Sequence, residues 1–318
     1  MKFRMNSIKS LKNFSFIGFL GILALISLDD PNEEQPHRSP PQESFFLVMV
    51  DGVRYSEALG DDPAHQSIPH LWNELRSQGS ILTEFYNTGP TYTCPGHLGM
   101  ITGIWQSVPN DGSQRSIVPT LFEYYRKAYQ LPKEQTVVFA QKTKLKVCTH
   151  SLSPEYGEAY QADFVPLKPN SEPLSEVLNY LKTYHPKLVL LSIAEPDLQG
   201  HENNWNGYLK AIQSSDQLIH QLWSFLQQDS IYQQKSYLFM SNDHGRHLDS
   251  IRDGFVSHGC PCTGCQHINF FAIGPRIQKG LISSKQGTLL DICKTVAFLL
   301  EIEAPYAGGR VLSEIVVH

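Results

Sequence analysis

Apolar positions along the chain fall into short continuous runs separated by longer amphipathic stretches. "FFLVMV" at 45–50 is an apolar run of strand length that stops at Asp51-Gly52. A helical stretch follows near 68–78, then the strand-like "ILTEFYN", a helix over 95–103 and the amphipathic "PTLFEYYRKAY" at 119–129. "TVVFA" at 136–140 reads as a strand and "PLSEVLNYLKTY" at 173–184 as a helix. The alternation continues with the strand "KLVLLSIA", a long helix over 205–227, the strands "SYLFMSN" and "INFFAIG", and a helix over 289–302. Apolar strands alternating with helices predict an α/β fold, a mostly parallel central sheet with helices on both faces.

The N-terminal end departs from this pattern. Lys2, Arg4, Lys9 and Lys12 precede the apolar run at 14–28, and the acidic "DDPNEEQP" follows it. That order predicts a signal peptide or N-terminal anchor over 1–28, a polar linker over 29–44, and a single domain over 45–318. The expected location is therefore outside the cytoplasm, periplasmic or extracellular, with membrane contact only if the segment is retained. Without residues 1–28 the chain keeps 22 basic against 31 acidic residues, a net charge of −9. Such a surface has no general attraction for a nucleic-acid polymer. A small anionic substrate must be held by something local, such as metal ions.

Candidate ligands stand at the strand ends. Asp51 ends the strand 45–50, Asp197 follows the strand 187–194 through a short "EP" turn, and Asp243 follows the strand 236–241. In open α/β sheets the carboxyl ends of the strands carry the ligand site. Three acids brought to that edge repel one another unless a cation lies between them. His201 follows Asp197 by four residues, His244 follows Asp243 directly, and His258 lies just before the strand 268–273. Mixed Asp and His donors suit zinc, with manganese the alternative. The tally predicts two divalent ions, one on Asp197, His201 and His258, the other on Asp51, Asp243 and His244. Taken singly, Asp-Gly and Asp-His-Gly are ordinary turn signals. Their joint placement at strand ends is what points to a metal centre.

"MVDGVRYSE", "GPTYTCPGHLGMITGIW", "AEPDLQGH", "SNDHG" and "SHG…FFAIGP" together resemble the alkaline phosphatase superfamily, in particular its nucleotide pyrophosphatase/phosphodiesterase branch, from about 45 to 275. The resemblance implies that Thr93 is both nucleophile and metal ligand, working through a phospho-threonine in the hydrolysis of phosphodiesters. Phosphomonoester hydrolysis, phosphotransfer, a sulfatase-like activity or an inactive binding homologue are the alternatives. Cys94 is followed by "PGH" and lacks the x-P-x-R that sulfatases of this kind need. Asn110 is the nearest candidate for the asparagine with which the branch holds phosphoryl oxygens. Arg115 and Arg246 are candidate phosphate contacts, against the alternative of solvated surface arginines. Tyr92 and Tyr55 are candidate stacking partners for a base or aryl group, against simple packing. Amides at the start of the 95–103 helix are further candidate donors for a phosphate.

Six cysteines complete the inventory, three of them within "HGCPCTGCQH". For an exported chain the reading is a local disulfide that stiffens the ligand loop, Cys260–Cys265 being one pairing, with the partners left open by the sequence. The alternative is a small zinc site on Cys260, Cys262, Cys265 and His267. Cys293 is expected in the core, and Cys94 beside the nucleophile.

Overall fold

A computed structural model describes residues 39–60, 65–168 and 173–317. The 1–28 segment and most of the 29–44 linker lie outside the described residues. Among the described residues there are ten strands: β1 (Ser44–Val50), β2 (Ser80–Leu82), β3 (Phe85–Tyr86), β4 (Thr136–Ala140), β5 (Asp163–Pro166), β6 (Leu188–Ile193), β7 (Ser236–Ser241), β8 (Phe270–Ile273), β9 (Leu281–Ser283) and β10 (Gly287–Thr288). The helices are α1 (Thr93–Thr102), α2 (Leu121–Tyr129), α3 (Pro173–Tyr184), α4 (Glu195–His201), α5 (Trp205–Gln228), the four-residue α6 (Thr263–Gln266) and α7 (Leu289–Leu299).

Eight strands form one sheet in the order β5-β4-β6-β1-β7-β8-β2-β9, and β3 pairs with β10 apart from it. Neighbours from β5 through β7 are parallel, and β8 runs antiparallel to both β7 and β2. The sheet is mostly parallel, as the apolar runs predicted. The side-chain period of two explains why "FFLVMV" has no polar position. Phe45, Leu47 and Met49 enter a core shared with α1, α2 and α7. Phe46, Val48 and Val50 enter the opposite core, shared with α3 and α5. Each residue of β1 is buried because helices cover both faces. Among the described residues no helix is long and apolar enough to cross a membrane.

Three elements differ from the periodicity. The stretch near 68–78 is helical as expected, but not as a regular α-helix: a π-helical turn, Leu71–Leu75, runs into a 3₁₀ turn, Arg76–Gln78, with Leu71 and Leu75 buried. "ILTEFYN" divides into β2 and β3, which join different sheets. Asp197 is not on a bare turn: "EPDLQGH" is α4, with Pro196 in its first turn, where a missing N–H costs nothing.

Candidate active site

The sheet order explains why distant acids meet. β6, β1 and β7 are adjacent and parallel, with Val50 opposite Ile193 and Met49 opposite Ser241. Their carboxyl ends therefore deliver Asp197, Asp51 and Asp243 to one edge. All three are buried, at 2%, 0% and 0% exposure, so none can rely on water to offset its charge.

Thr93 opens α1, a helix whose ten residues are all buried. The helix stops at Gly103, whose φ of 73° gives the left-handed cap that a glycine takes without strain. Gly96 lets α1 close on the acid. A Cβ there would stand 2.7 Å from Asp243 Cβ. We therefore expect Gly96→Ala to lower the melting temperature by the equivalent of about 1–3 kcal/mol and to reduce bound metal; an unchanged melt would show that this contact yields.

Buried polar atoms without partners show what the site lacks. Asp243 Oδ1 accepts the His244 N–H at 2.9 Å and the Gly52 N–H at 3.3 Å. Its Oδ2, Asp51 Oδ1 and His244 Nε2 have no hydrogen-bond partner. His244 Nδ1 is held by Gly245 O at 2.8 Å, which leaves the Nε2 lone pair directed inward. That nitrogen lies 3.5 Å from both Asp51 Oδ1 and Asp243 Oδ2. Two ligands about 2.05 Å from a tetrahedral zinc ion are separated by about 3.4 Å, so this donor set fits a divalent cation. A second group, Asp197, His244 and His258, also brings one ligand atom each to within 4.8 Å of one another. His258 Nδ1 donates to Thr91 O at 2.8 Å, again freeing Nε2. Burial, reinforced by the neighbouring His244, pushes the His258 pKa down to about 3, so the ring is neutral and fit to ligate. His201 stands at the rim, 45% exposed, with Nε2 3.4 Å from Asp197 Oδ2.

The acids are not electrostatically equivalent. Burial, with Asp243 adding to it, raises the Asp51 pKa to about 6, although Lys142 works against the shift. For Asp243 burial acts upward too, but His244 and His97 outweigh it and the pKa falls. Asp197 is likewise lowered despite its burial, through the hydrogen bond with His201 and the charge of Lys142.

Three further residues belong to the site: Lys142 and Lys144 lie outside the sequence motifs, and His97 lies within one but had no role assigned to it. Lys142 lies two residues past β4, the strand beside β6, and so reaches the same edge. Its Nζ is 2.6 Å from Asp51 Oδ2, 2.6 Å from Asp197 Oδ2 and 3.5 Å from Thr93 Oγ1. Lys144 Nζ donates to Asn110 Oδ1 at 3.2 Å. Buried His97 supports the turn that carries Thr93, with Nδ1 2.9 Å from Thr93 O and 3.4 Å from Asp243 Oδ2, and Nε2 2.9 Å from Ser192 Oγ. The signal that could have revealed Lys142 was its place just past a strand end.

The remaining candidates separate. Asn110 does reach the site: its Oδ1 accepts the Cys94 N–H at 2.9 Å, which leaves its amide NH₂ for a ligand. Cys94 is fully buried, and its Sγ faces Asn110 O at 3.5 Å. Tyr92 is 40% exposed and meets His258 edge-on at 5.6 Å between centroids, at the mouth of the site. Tyr55 instead stacks on His267 at 3.8 Å. Arg246 is not a surface residue: it is fully buried and is committed to Asp197 and the Phe255 and Val256 carbonyls. Arg115 binds the carbonyls of Lys146 and His150 and the Thr149 hydroxyl. The helix amides are largely taken as well. Cys94 N–H binds Asn110, Pro95 has none, and Gly96 N–H binds Tyr92 O at 2.9 Å.

The cysteines also depart from expectation. All six are free, so the Cys260–Cys265 disulfide is not formed. His267 turns away from them, with Nε2 on Thr83 O at 2.7 Å.

A family model described as "Metalloenzyme superfamily" matches residues 141–304, just over half of the chain. The chain belongs to the Metalloenzyme superfamily. This metalloenzyme is similar to the phosphopentomutase of Clostridioides difficile (strain 630), 27% identical over 148 residues, 46% of this chain and 34% of that protein. The matched stretch thus spans about a third of that relative's length. Among solved structures, the alkaline phosphatase PafA superposes with a TM-score of 0.65 at 11% identity, covering 88% of this chain and 100% of that one. Murine ectonucleotide pyrophosphatase / phosphodiesterase 5 gives a TM-score of 0.59 at 13% identity, covering 86% and 100%. The metalloenzyme therefore has the alkaline-phosphatase fold.

Proposed function

We propose that this metalloenzyme hydrolyses small phosphate esters through a phosphorylated Thr93, with phosphomonoesters preferred over the diesters expected from sequence. Asp51, Thr93, Asp243 and His244 would hold one divalent ion, and Asp197, His201 and His258 the other, with zinc suited to the donors. Such ions, when bound, would supply the Lewis acidity that lowers the threonine hydroxyl pKa and stabilises the leaving oxygen.

The observation that carries the monoester reading is Lys142. Its ammonium lies 3.5 Å from Thr93 Oγ1, close enough to meet a phosphoryl group carried on that oxygen. Lys144 adds a second cation one contact away, on Asn110. A monoester dianion carries one more negative charge than a diester and gains more from two lysines beside it. In the reaction Thr93 Oγ1 bonds to phosphorus, the ester oxygen leaves, and water later cleaves the phospho-threonine. Asn110 orients the phosphoryl oxygens through its free amide, and His97 holds the turn that presents Thr93. The basic residues and apolar run of 1–28 support export as part of this reading.

Lys142→Ala is the discriminating variant. Its kcat/KM for p-nitrophenyl phosphate should fall about 10²-fold, the usual cost of losing one charged donor at a reacting oxyanion. Loss on bis-p-nitrophenyl phosphate should be much smaller. Equal losses on both esters, or a wild-type enzyme that prefers the diester, would overturn the monoester assignment. The similarity to a phosphopentomutase supports a second outcome, transfer of the phosphoryl group to an added alcohol. A phosphorylated alcohol appearing at the expense of inorganic phosphate would reveal it.

A further inference from the structure

Apart from the two groups of the candidate active site there is a further group of ligand atoms, from His247, Cys260 and Cys265. All three residues are buried, and one ligand atom from each lies within 4.8 Å of the others. Cys262, half-buried, lies two residues after Cys260, and its N–H donates to Cys260 Sγ at 3.3 Å. We propose that His247, Cys260, Cys262 and Cys265 form a structural zinc site, separate from the ions of the catalytic edge.

Three observations point to a metal. The Sγ atoms of Cys260 and Cys265 are 3.8 Å apart. Two thiolates each about 2.3 Å from a tetrahedral zinc are separated by about 3.8 Å, whereas a disulfide needs about 2.05 Å. Second, His247 is 1% exposed and its Nε2 has no hydrogen-bond partner. A buried ring nitrogen without a partner is costly unless something binds it. Third, His247 Nδ1 is held by Asp253 Oδ1 at 2.9 Å. A carboxylate on the far nitrogen fixes the tautomer and orients the ring, as it does for zinc-bound histidines. Asp253 is itself held by the Ser257 hydroxyl at 2.7 Å.

The spacing C-x-C-x-x-C keeps the three thiols on one short turn, which continues into α6. Binding would displace the thiol protons to solvent and leave three thiolates and one neutral imidazole around the ion. The site would also tie together the two loops that carry catalytic candidates. Gly245 N–H donates to Cys265 O at 2.9 Å, His247 N–H to Ser257 O at 2.9 Å, and Thr91 Oγ1 to Cys260 O at 3.1 Å. One zinc there would fix His244 on one loop and His258 on the other without touching substrate.

The test uses the full-length protein purified with zinc present. Metal analysis should find about three zinc per chain, and Cys265→Ser should lose one of them. X-ray absorption of the wild type should show zinc–sulfur scattering near 2.3 Å. That scattering should persist in Asp51→Asn, which removes only a catalytic-edge ligand. Cobalt-substituted wild type should show a thiolate-to-cobalt charge-transfer band. If Cys265→Ser does not fold, the two wild-type spectra still decide. Absence of sulfur scattering and of the charge-transfer band, or a Cys260–Cys265 disulfide found by mass mapping of the native protein, would overturn the proposal.

Discussion

Thr93→Ala is expected to lower phosphate-ester turnover by at least about 10³-fold, while metal content and melting temperature stay near wild type. Thr93 contributes one hydroxyl at the first position of α1, and removing its Oγ leaves the carboxylates and histidines in place. The backbone contact with His97 survives, because His97 binds the Thr93 carbonyl and not its side chain. Loss of rate without loss of metal would therefore isolate the nucleophile from the ion site. Thr93→Ser, which keeps the oxygen, should retain measurable turnover, and acid quenching of the wild type during turnover should trap a phosphorylated threonine. Turnover that survived in Thr93→Ala would show that another group attacks.

Exhaustive chelation of the edge ions should abolish activity without unfolding the protein, and zinc should restore it. The unpartnered Asp51 Oδ1, Asp243 Oδ2 and His244 Nε2 are the atoms that lose their ion. The fold persists because Lys142 already bridges Asp51 and Asp197, offsetting part of the repulsion between buried carboxylates. Circular dichroism before and after chelation checks the fold, and turnover on re-addition of zinc or manganese checks the site. Full activity in rigorously metal-free protein would end the metal-dependent mechanism. A small residual rate confined to incompletely stripped samples would not.

Much of the site was legible because its signals are local. An apolar run that ends in an acid places that acid at a strand's carboxyl end wherever the strand is finally inserted. Asp51 and Asp243 obey this rule, and Asp197 needs only the added half-turn of α4. The i, i+4 spacing of Asp197 and His201 needs only that the segment be helical, and it is. Arg246 went the other way. An arginine three residues past Asp243 suggests a phosphate contact, but burial and two carbonyl acceptors in 255–256 commit it to holding Asp197.

By itself the sequence determined the alternation of strands and helices, the acids at three strand ends, and the threonine where a helix begins. Each of these depends on residues within one or two turns of chain. Strand order was decided only in three dimensions, and it makes β6, β1 and β7 neighbours although they lie far apart in the chain. From that order come the convergence of the three aspartates, the entry of Lys142 from beside β6, and the seating of His97 on Ser192. Tertiary packing likewise turned His267 toward Thr83 and brought His247, not His267, to the cysteines. A lysine or histidine reads the same in a sequence whether it faces solvent or a buried carboxylate. Only the neighbours brought in from distant segments set its environment, and with it the chemistry it can perform.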